Sequence, residues 1–516
     1  MELQESRKLT TRDWLGFMAM VVGMFMAILD IQIVSASITD IQAGLAASPD
    51  EAAWVQTSYL IAEIVMIPLS GWLSRLLSTR ILFVLSALGF TVFSLLCAGA
   101  TNLGAMVVFR AAQGFLGGAM IPTVFATTFL LFPDEQRTRM SVVIGLTATL
   151  APTIGPTLGG WLTENYSWHW LFLINVPVGA AVAAAVWAWL DIDRPDWSLA
   201  RGFDLTGLLL MAVFLGALEY VLEEGERWDW FQDDTIFWAG IVSGVCGLLF
   251  LWRMLVRPDP LVELRAFRNA NFAFGSLFSF ILGLGLYGSV YLLPLFLARV
   301  RGYNSLQIGE TMFVTGVAMF LSAPIAGQLA QRLDLRVMLA VGLAMFGGGL
   351  WWMTNLTTET AFWELFGPQA LRGASMMFIM LPVNQIALGR LPPEAVKNAS
   401  GLYNLMRNLG GAVGLALINT VATSRLASHT LHLQEQVTWA RAGAVGALHG
   451  MTQAMEPAKA GNAALAALKQ MAMMVQQQAL TLAYNDVLLL MALAFLAALP
   501  LTLLLAKPAT TASGAH

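Results

Sequence analysis

The chain has 516 residues, of which 57% are hydrophobic and 12% charged, with a formal net charge of −4. That charged share is about half the roughly 25% of a soluble domain, which excludes an ordinary soluble enzyme, a disordered chain and a secreted disulfide scaffold. Cys97 and Cys246 lie in long apolar runs as small core residues, and the basic residues form no patch of the kind that binds nucleic acid.

A helix that crosses a bilayer needs about 20 mostly apolar residues. Fourteen runs qualify. In chain order they are 14–38, 53–74, 80–100, 103–131, 140–163, 169–190 and 205–222, then 235–256, 272–297, 307–329, 337–355, 361–388, 399–421 and 485–506. Strands of a membrane barrel would instead alternate in pieces of about 10 residues. The chain therefore reads as an all-α polytopic membrane protein. The first run exceeds the roughly 7–15-residue core of a secretory signal and holds Asp30, so it is expected to remain as a span.

Lys and Arg collect in cytoplasmic loops. With the N-terminus inside, 18 of the 28 basic residues fall in inside segments, from Arg7, Lys8 and Arg12 to Arg390, Lys397 and Lys507. Only Arg227, Arg299 and Arg301 fall in short outside loops. Both termini are expected in the cytoplasm. The segment 422–484 is then a long outside loop with few charges, carrying Arg425, Arg441, Lys459 and Lys469. Leu465, Leu468, Met471 and Val475 recur there at helical spacing. It reads either as a helical flap on the membrane surface or as a docking surface for a periplasmic partner.

Three basic residues remain, all within spans: Arg110, Arg372 and Arg407. Asp30 and Glu63 are the clearest acids within spans. Each such charge costs at least about 2.5–3.5 kcal/mol, so it must face a protein interior or a watery cavity. At about 1.5 Å per residue, Asp30 lies ~12 Å deep, Glu63 ~15 Å and Arg110 ~10 Å from the outer surface. Matched depth on three helices suggests that Asp30 or Glu63 pairs with Arg110 and exchanges a proton. The bland alternatives are a satisfied polar anchor for each acid, and an Arg110 that ties helices together through carbonyls. Glu219, Glu310 and Glu364 lie near span ends, where solvation at the interface is the default. His169, His429, His432 and His449 show no metal-ligand spacing on a shared span.

Span 4 contains Arg110-Ala-Ala-Gln113-Gly114-Phe-Leu-Gly117-Gly118, and span 5 contains Ala151-Pro152-Thr-Ile-Gly155-Pro156-Thr-Leu-Gly159-Gly160. Small residues at these spacings let helices approach closely, and Pro156 removes an intrahelical hydrogen bond. With these motifs the chain resembles the major facilitator superfamily, and within it the 14-span drug:proton antiporters of the EmrB and QacA type. The Arg110 run resembles the family's span 4 motif, which is linked to proton translocation. The run through Gly155, Pro156, Gly159 and Gly160 resembles its antiporter motif, with Ala151 at the first small position. Leu29-Asp30 resembles its first-span motif, with Gln32 in place of the usual Thr. The run from Trp168 to Gly179 resembles the start of span 6, and that from Asn404 to Gly411 resembles span 13. One loop departs. Within Gly71-Trp-Leu73-Ser-Arg75-Leu-Leu-Ser78-Thr79-Arg80, Arg75 replaces the family's acid and Ser78 its Gly.

A weak internal repeat agrees with that resemblance. Gly327–Arg336 echoes Gly71–Arg80, Arg372 through Pro382 echoes Arg110 through Pro122, and the Arg407 glycine run echoes span 5. The resemblance implies two six-helix bundles, over 1–190 and 272–516, with two inserted helices over 191–271. It implies proton-driven efflux of amphipathic small molecules by alternating access across a bacterial inner membrane. The proton gradient would be the energy source, with no other cofactor, and a periplasmic adaptor and an outer-membrane channel would be partners. Polarity within spans nominates Gln32, Tyr59, Gln113, Tyr287, Tyr291, Asn384, Asn404 and Arg407 as cavity lining. Three arginines against two acids would favour an anionic or weakly acidic substrate. The rival readings are an importer or exporter of one metabolite, a passive channel and an intramembrane enzyme. The last lacks a clustered nucleophile, metal ligands or a phosphate loop.

Overall fold

The computed structural model describes residues 9–389, 391–455 and 462–505; Arg7, Lys8, Arg390, Lys459 and Lys507 of the charge count lie outside them. Among the described residues there is no strand, and 14 helices are long and apolar enough to cross a membrane. Spans 1 to 7 are Thr11–Ser35, Glu51–Leu77, Thr79–Ala98, Leu103–Leu131, Gln136–Asn165, Trp170–Trp189 and Leu205–Glu224. Spans 8 to 14 are Asp234–Val256, Ala270–Arg299, Leu306–Arg332, Leu335–Asn355, Phe362–Leu388, Pro393–Gln436 and Ala463–Leu504. This is a multi-pass membrane protein. Helices suit lipid because each satisfies its own backbone groups.

Local sequence sets the helix starts. Thr10 and Asp13 exchange side-chain and backbone hydrogen bonds ahead of span 1, and Ser48 and Glu51 do the same ahead of span 2. Asn102 caps span 4 and Asp204 caps span 7. Each cap takes up amide groups that the first helical turn leaves without partners. The outward faces stay apolar: Trp238, Leu248 and Trp252 of span 8 and Phe313, Phe320 and Leu321 of span 10 are exposed.

The packing repeats itself. Span 1 packs on span 5, span 2 on span 4 and span 3 on span 6; span 9 packs on span 13, span 10 on span 12 and span 11 on span 14. The glycines of the internal repeat sit at equivalent crossings. A Cβ on Gly114 of span 4 would lie 2.3 Å from the Tyr59 carbonyl oxygen of span 2, and one on Gly373 of span 12 would lie 2.2 Å from that of Thr315 in span 10. Lipid offers no hydrophobic drive between helices, so such close backbone contact carries much of the association. The two six-span bundles meet through span 5 on span 10 and span 2 on span 13.

The inserted pair is not symmetric in its role. Span 7 packs on spans 2 and 13 beside the bundle interface, whereas span 8 packs mainly on span 7. Trp54 of span 2 stacks on Tyr220 of span 7 at 5.5 Å, and the Thr57 hydroxyl donates to Glu224 at 3.3 Å. Where the chain begins, called the N-side, Asp204 accepts from Arg253 at 2.8–3.0 Å and holds span 8 to span 7.

Spans 13 and 14 run beyond the apolar segments expected of them. Their helices continue to Gln436 and back to Ala463, with a helix at Ala442–Met455 between. Most of the 422–484 segment is thus helical and continuous with two spans.

Candidate functional site

Spans 1, 4 and 6 bring a polar cluster into the N-terminal bundle. Arg110 Nη1 donates to Asp30 Oδ2 at 2.6 Å, and both side chains are fully buried. Gln113 Nε2 and Asn175 Nδ2 donate to Asp30 Oδ1 at 3.1 and 2.6 Å. Gln113 also donates to the Ser94 hydroxyl at 2.7 Å and accepts from Arg110 at 2.7 Å. Arg110 Nε donates to the Val55 carbonyl at 3.1 Å, and its guanidinium lies 4.2 Å from the Tyr59 ring centroid. A charge at this depth persists only when paired and hydrogen-bonded, and this one is both.

The C-terminal bundle holds the counterpart without the acid. Arg372 of span 12 is buried and donates to the Ser289 carbonyl of span 9 at 3.3 Å and the Thr315 hydroxyl of span 10 at 3.0 Å. It meets the helices equivalent to those that Arg110 meets. Among the described residues it has no ion-pair partner.

Between the bundles lies a cavity of about 540 Å³. Its lining runs from Glu63 and Ile64 at mid-span to Gln56, Ala298 and Asn419 near the far ends. Gln32, Tyr287, Tyr291 and Pro156 line it, as do Glu219 and Glu223 of inserted span 7. The N-side is shut by the opposite bundle. The Ser400 hydroxyl donates to the Pro122 carbonyl at 2.6 Å, and Gly71 sits where a Cβ would come within 2.7 Å of Asn398 Cα. The chamber thus lies between the two bundles, with direct contacts between them on its N-side.

The model of the Major Facilitator Superfamily matches residues 20–415. The chain is 44% identical over 483 residues to the colistin resistance protein EmrB of Acinetobacter baumannii, covering 93% of this chain and 94% of that one. It is 31% identical over 422 residues to the multidrug export protein EmrB of Escherichia coli, covering 81% and 82% respectively. The crystal structure of the human organic anion transporter MFSD10 shares the fold at TM-score 0.55 and 14% identity, covering 94% of this chain and 100% of that one. The chain belongs to the Major Facilitator Superfamily. It is a transporter and not an enzyme.

Within this facilitator, the departing loop after span 2 is rebuilt from elsewhere. Asp193, from the segment leaving span 6, accepts from the Thr79 amide at 3.0 Å and pairs with Lys397 of span 13. Lys397 also donates to the Ser74 carbonyl at 3.0 Å. An acid thus sits at the start of span 3, although Arg75 stands where the family's loop has one. Ser78 adopts φ 80°, a conformation that favours the glycine it replaces.

The nominated residues of this facilitator divide. Asp30, Arg110, Gln113 and Tyr59 meet in the buried cluster; Gln32, Tyr287 and Tyr291 line the cavity. Asn404 and Arg407 are buried and bonded to each other at 2.5 Å, with Arg407 over the Phe125 ring, and Asn384 is buried; none of the three lines the cavity. Gly155 and Gly159 press span 5 on Gln32 and Ile33 of span 1, and the Gly160 carbonyl accepts from Thr163. Glu63 does not join Arg110 but lines the cavity. Two expectations change. Arg110, Arg372 and Arg407 are absent from the lining, so the charge balance that favoured an anion does not hold. Glu219 is a buried wall residue and not an interfacial one, because span 7 stands against the chamber. Glu310 and Glu364 are exposed, as expected, and Glu364 accepts from the Ala361 amide.

Proposed function

We propose that the protein exports amphipathic small molecules across a bacterial inner membrane in exchange for protons, with both termini in the cytoplasm. The N-side is then cytoplasmic, and the chamber faces outward in this conformation. The observation that carries proton coupling is the Asp30–Arg110 pair at 2.6 Å, buried with Gln113 and Asn175 across spans 1, 4 and 6. A proton that reaches Asp30 neutralises one half of the pair and frees Arg110 to seek other acceptors. Because the three helices share that cluster, the change is felt as a shift in how they pack. Drug release and proton uptake at the outward face, followed by return to the inward face, then make one cycle.

Support for drug export comes from the relatives, whose names speak of multidrug export and drug resistance. Support for a wider assembly comes from the far-side helices. We assign the helical segment within 422–484 to docking a periplasmic adaptor that leads to an outer-membrane channel. Its groove is lined by Met451, Met471 and Met474, side chains suited to packing on a partner helix.

Counterflow in proteoliposomes, with and without a pH gradient, tests the reading. An exchanger is expected to show counterflow at equal pH and net transport only with the gradient. Gradient-independent net flux would point to a channel.

A further inference from the structure

The chamber wall carries three carboxyl groups, Glu63, Glu219 and Glu223, and no Lys or Arg. Two of them come from span 7, which lies outside the two six-span bundles. Glu219 is 5% exposed, and its Oε2 has no hydrogen-bond partner among the described residues. It lies close enough to Glu63 of span 2 and Glu223, one turn on, for their charges to interact. A buried acceptor without a partner is costly, and an acid placed beside other acids is more so. Opposite stand Tyr287 and Tyr291, and Ile64, Leu286 and Val290 supply apolar surface. Carboxylates, tyrosine rings and aliphatic side chains together are what a bulky organic cation needs.

We infer that Glu219, presented by the inserted span 7 and acting with Glu63, binds the positive charge of an amphipathic cation and so selects cations over anions. Inserted span 7 is then part of the substrate site and not a peripheral addition. An approaching cation meets an acceptor that no side chain occupies, so it breaks no internal bond at that oxygen. An anion of the same shape meets three acids. The inference rests on the reading of the chamber as the substrate site.

The test uses two rigid ions of matched shape and opposite charge, tetraphenylphosphonium and tetraphenylborate, titrated into the full chain in lipid nanodiscs. The unaltered protein is expected to bind the phosphonium more tightly than the borate. Glu219→Gln is expected to weaken phosphonium binding by about tenfold or more and to narrow the difference between the ions. Glu219→Asp, which keeps the charge, is expected to retain most of the preference and guards against a merely misfolded variant. Equal binding of both ions, or phosphonium binding unchanged in Glu219→Gln, overturns the inference and leaves the chamber as a substrate site. Binding of neither ion, nor of any exported drug, overturns both.

Discussion

Asp30→Asn removes a charge and almost no volume. In the native cluster Arg110 donates to Asp30 at 2.6 Å, to Gln113 at 2.7 Å and to the Val55 carbonyl at 3.1 Å. The substituted amide leaves the last two contacts in place and takes away the carboxylate. Removing one partner of a buried ion pair costs about 3–5 kcal/mol. At about 1.4 kcal/mol per tenfold, that is roughly a hundred- to a few-thousand-fold on any equilibrium the pair biases. If Asp30 carries the coupled proton, the variant has no group left to protonate there. The assay is uptake into proteoliposomes, driven by a pH gradient in one set and by preloaded unlabelled drug at equal pH in the other. Gradient-driven uptake is expected to fall to background while exchange continues, and the elution profile in detergent is expected to stay monodisperse. Gradient-driven uptake at the native rate in Asp30→Asn would refute the assignment.

Four further outcomes follow from the same structure. Ser78→Gly relieves φ 80° at the junction of spans 2 and 3 and loses only a 3.4 Å cap to the Ile81 amide, so the thermal midpoint is expected to rise, by about 1 kcal/mol of stability; a lower midpoint contradicts the strain argument. Gly114→Val drives a side chain into the Tyr59 carbonyl and is expected to cost more than about 1–3 kcal/mol and abolish monodisperse protein, whereas Gly316→Ala, whose Cβ would stay 3.5 Å from its nearest neighbour, is expected to be silent. Lys397→Gln unties span 13 from Asp193 and Ser74, so alkylation of a cysteine introduced at Ser70 is expected to quicken from the N-side; an unchanged rate argues against a gate there. At Asp204, burial alone would raise the carboxyl pKa, but the hydrogen bonds from Arg253 and the Gly207 amide and the charge of Arg257 outweigh it and hold the pKa below the ordinary carboxylate value. A lowered pKa contributes stability that is present above the ordinary value, near about pH 4, and is lost as pH falls through the lowered one. Asp204→Asn is therefore expected to cost about 1–3 kcal/mol at neutral pH, with the gap to the native protein starting to close only as pH falls below the ordinary carboxylate value; equal stability of the two proteins at neutral pH contradicts the pairing.

The span count was legible because apolar runs of about 20 residues have few readings other than a membrane helix. Twelve of the 14 expected runs match the helices to within about four residues at each end. Spans 13 and 14 run well beyond theirs, because Gln-, Ala- and Met-rich sequence outside the bilayer continues a helix without the hydropathy that marks a span. Depth narrowed the partner of Arg110 to Asp30 or Glu63, since opposite charges at one level in lipid have reason to meet. Glu63 was equally deep, yet depth gives no azimuth around the helix, and span 2 turns it to the chamber. Asn175 stood in the run that resembles the start of span 6 but had no role assigned to it, and Ser94 was one polar residue among many. Glu219 was missed because counting along span 7 placed it near water, and the packing of that span on spans 2 and 13 has no trace in its own periodicity. The spacing of Glu219, Glu223 and Glu224 on one apolar helix was the available signal. Arg372 and Arg407 show the converse: a charge in a span need not line the path.

The central claim is that drug and proton move in opposite directions through one protein. It is tested most directly by trapping a pH-sensitive dye inside proteoliposomes, clamping the membrane potential, and adding a fixed-charge drug that carries no proton of its own. The lumen is expected to turn alkaline as the drug enters, in step with uptake, and to stay unchanged when Asp30→Asn replaces the native protein. Drug entry through the native protein with no change in lumenal pH would contradict the account.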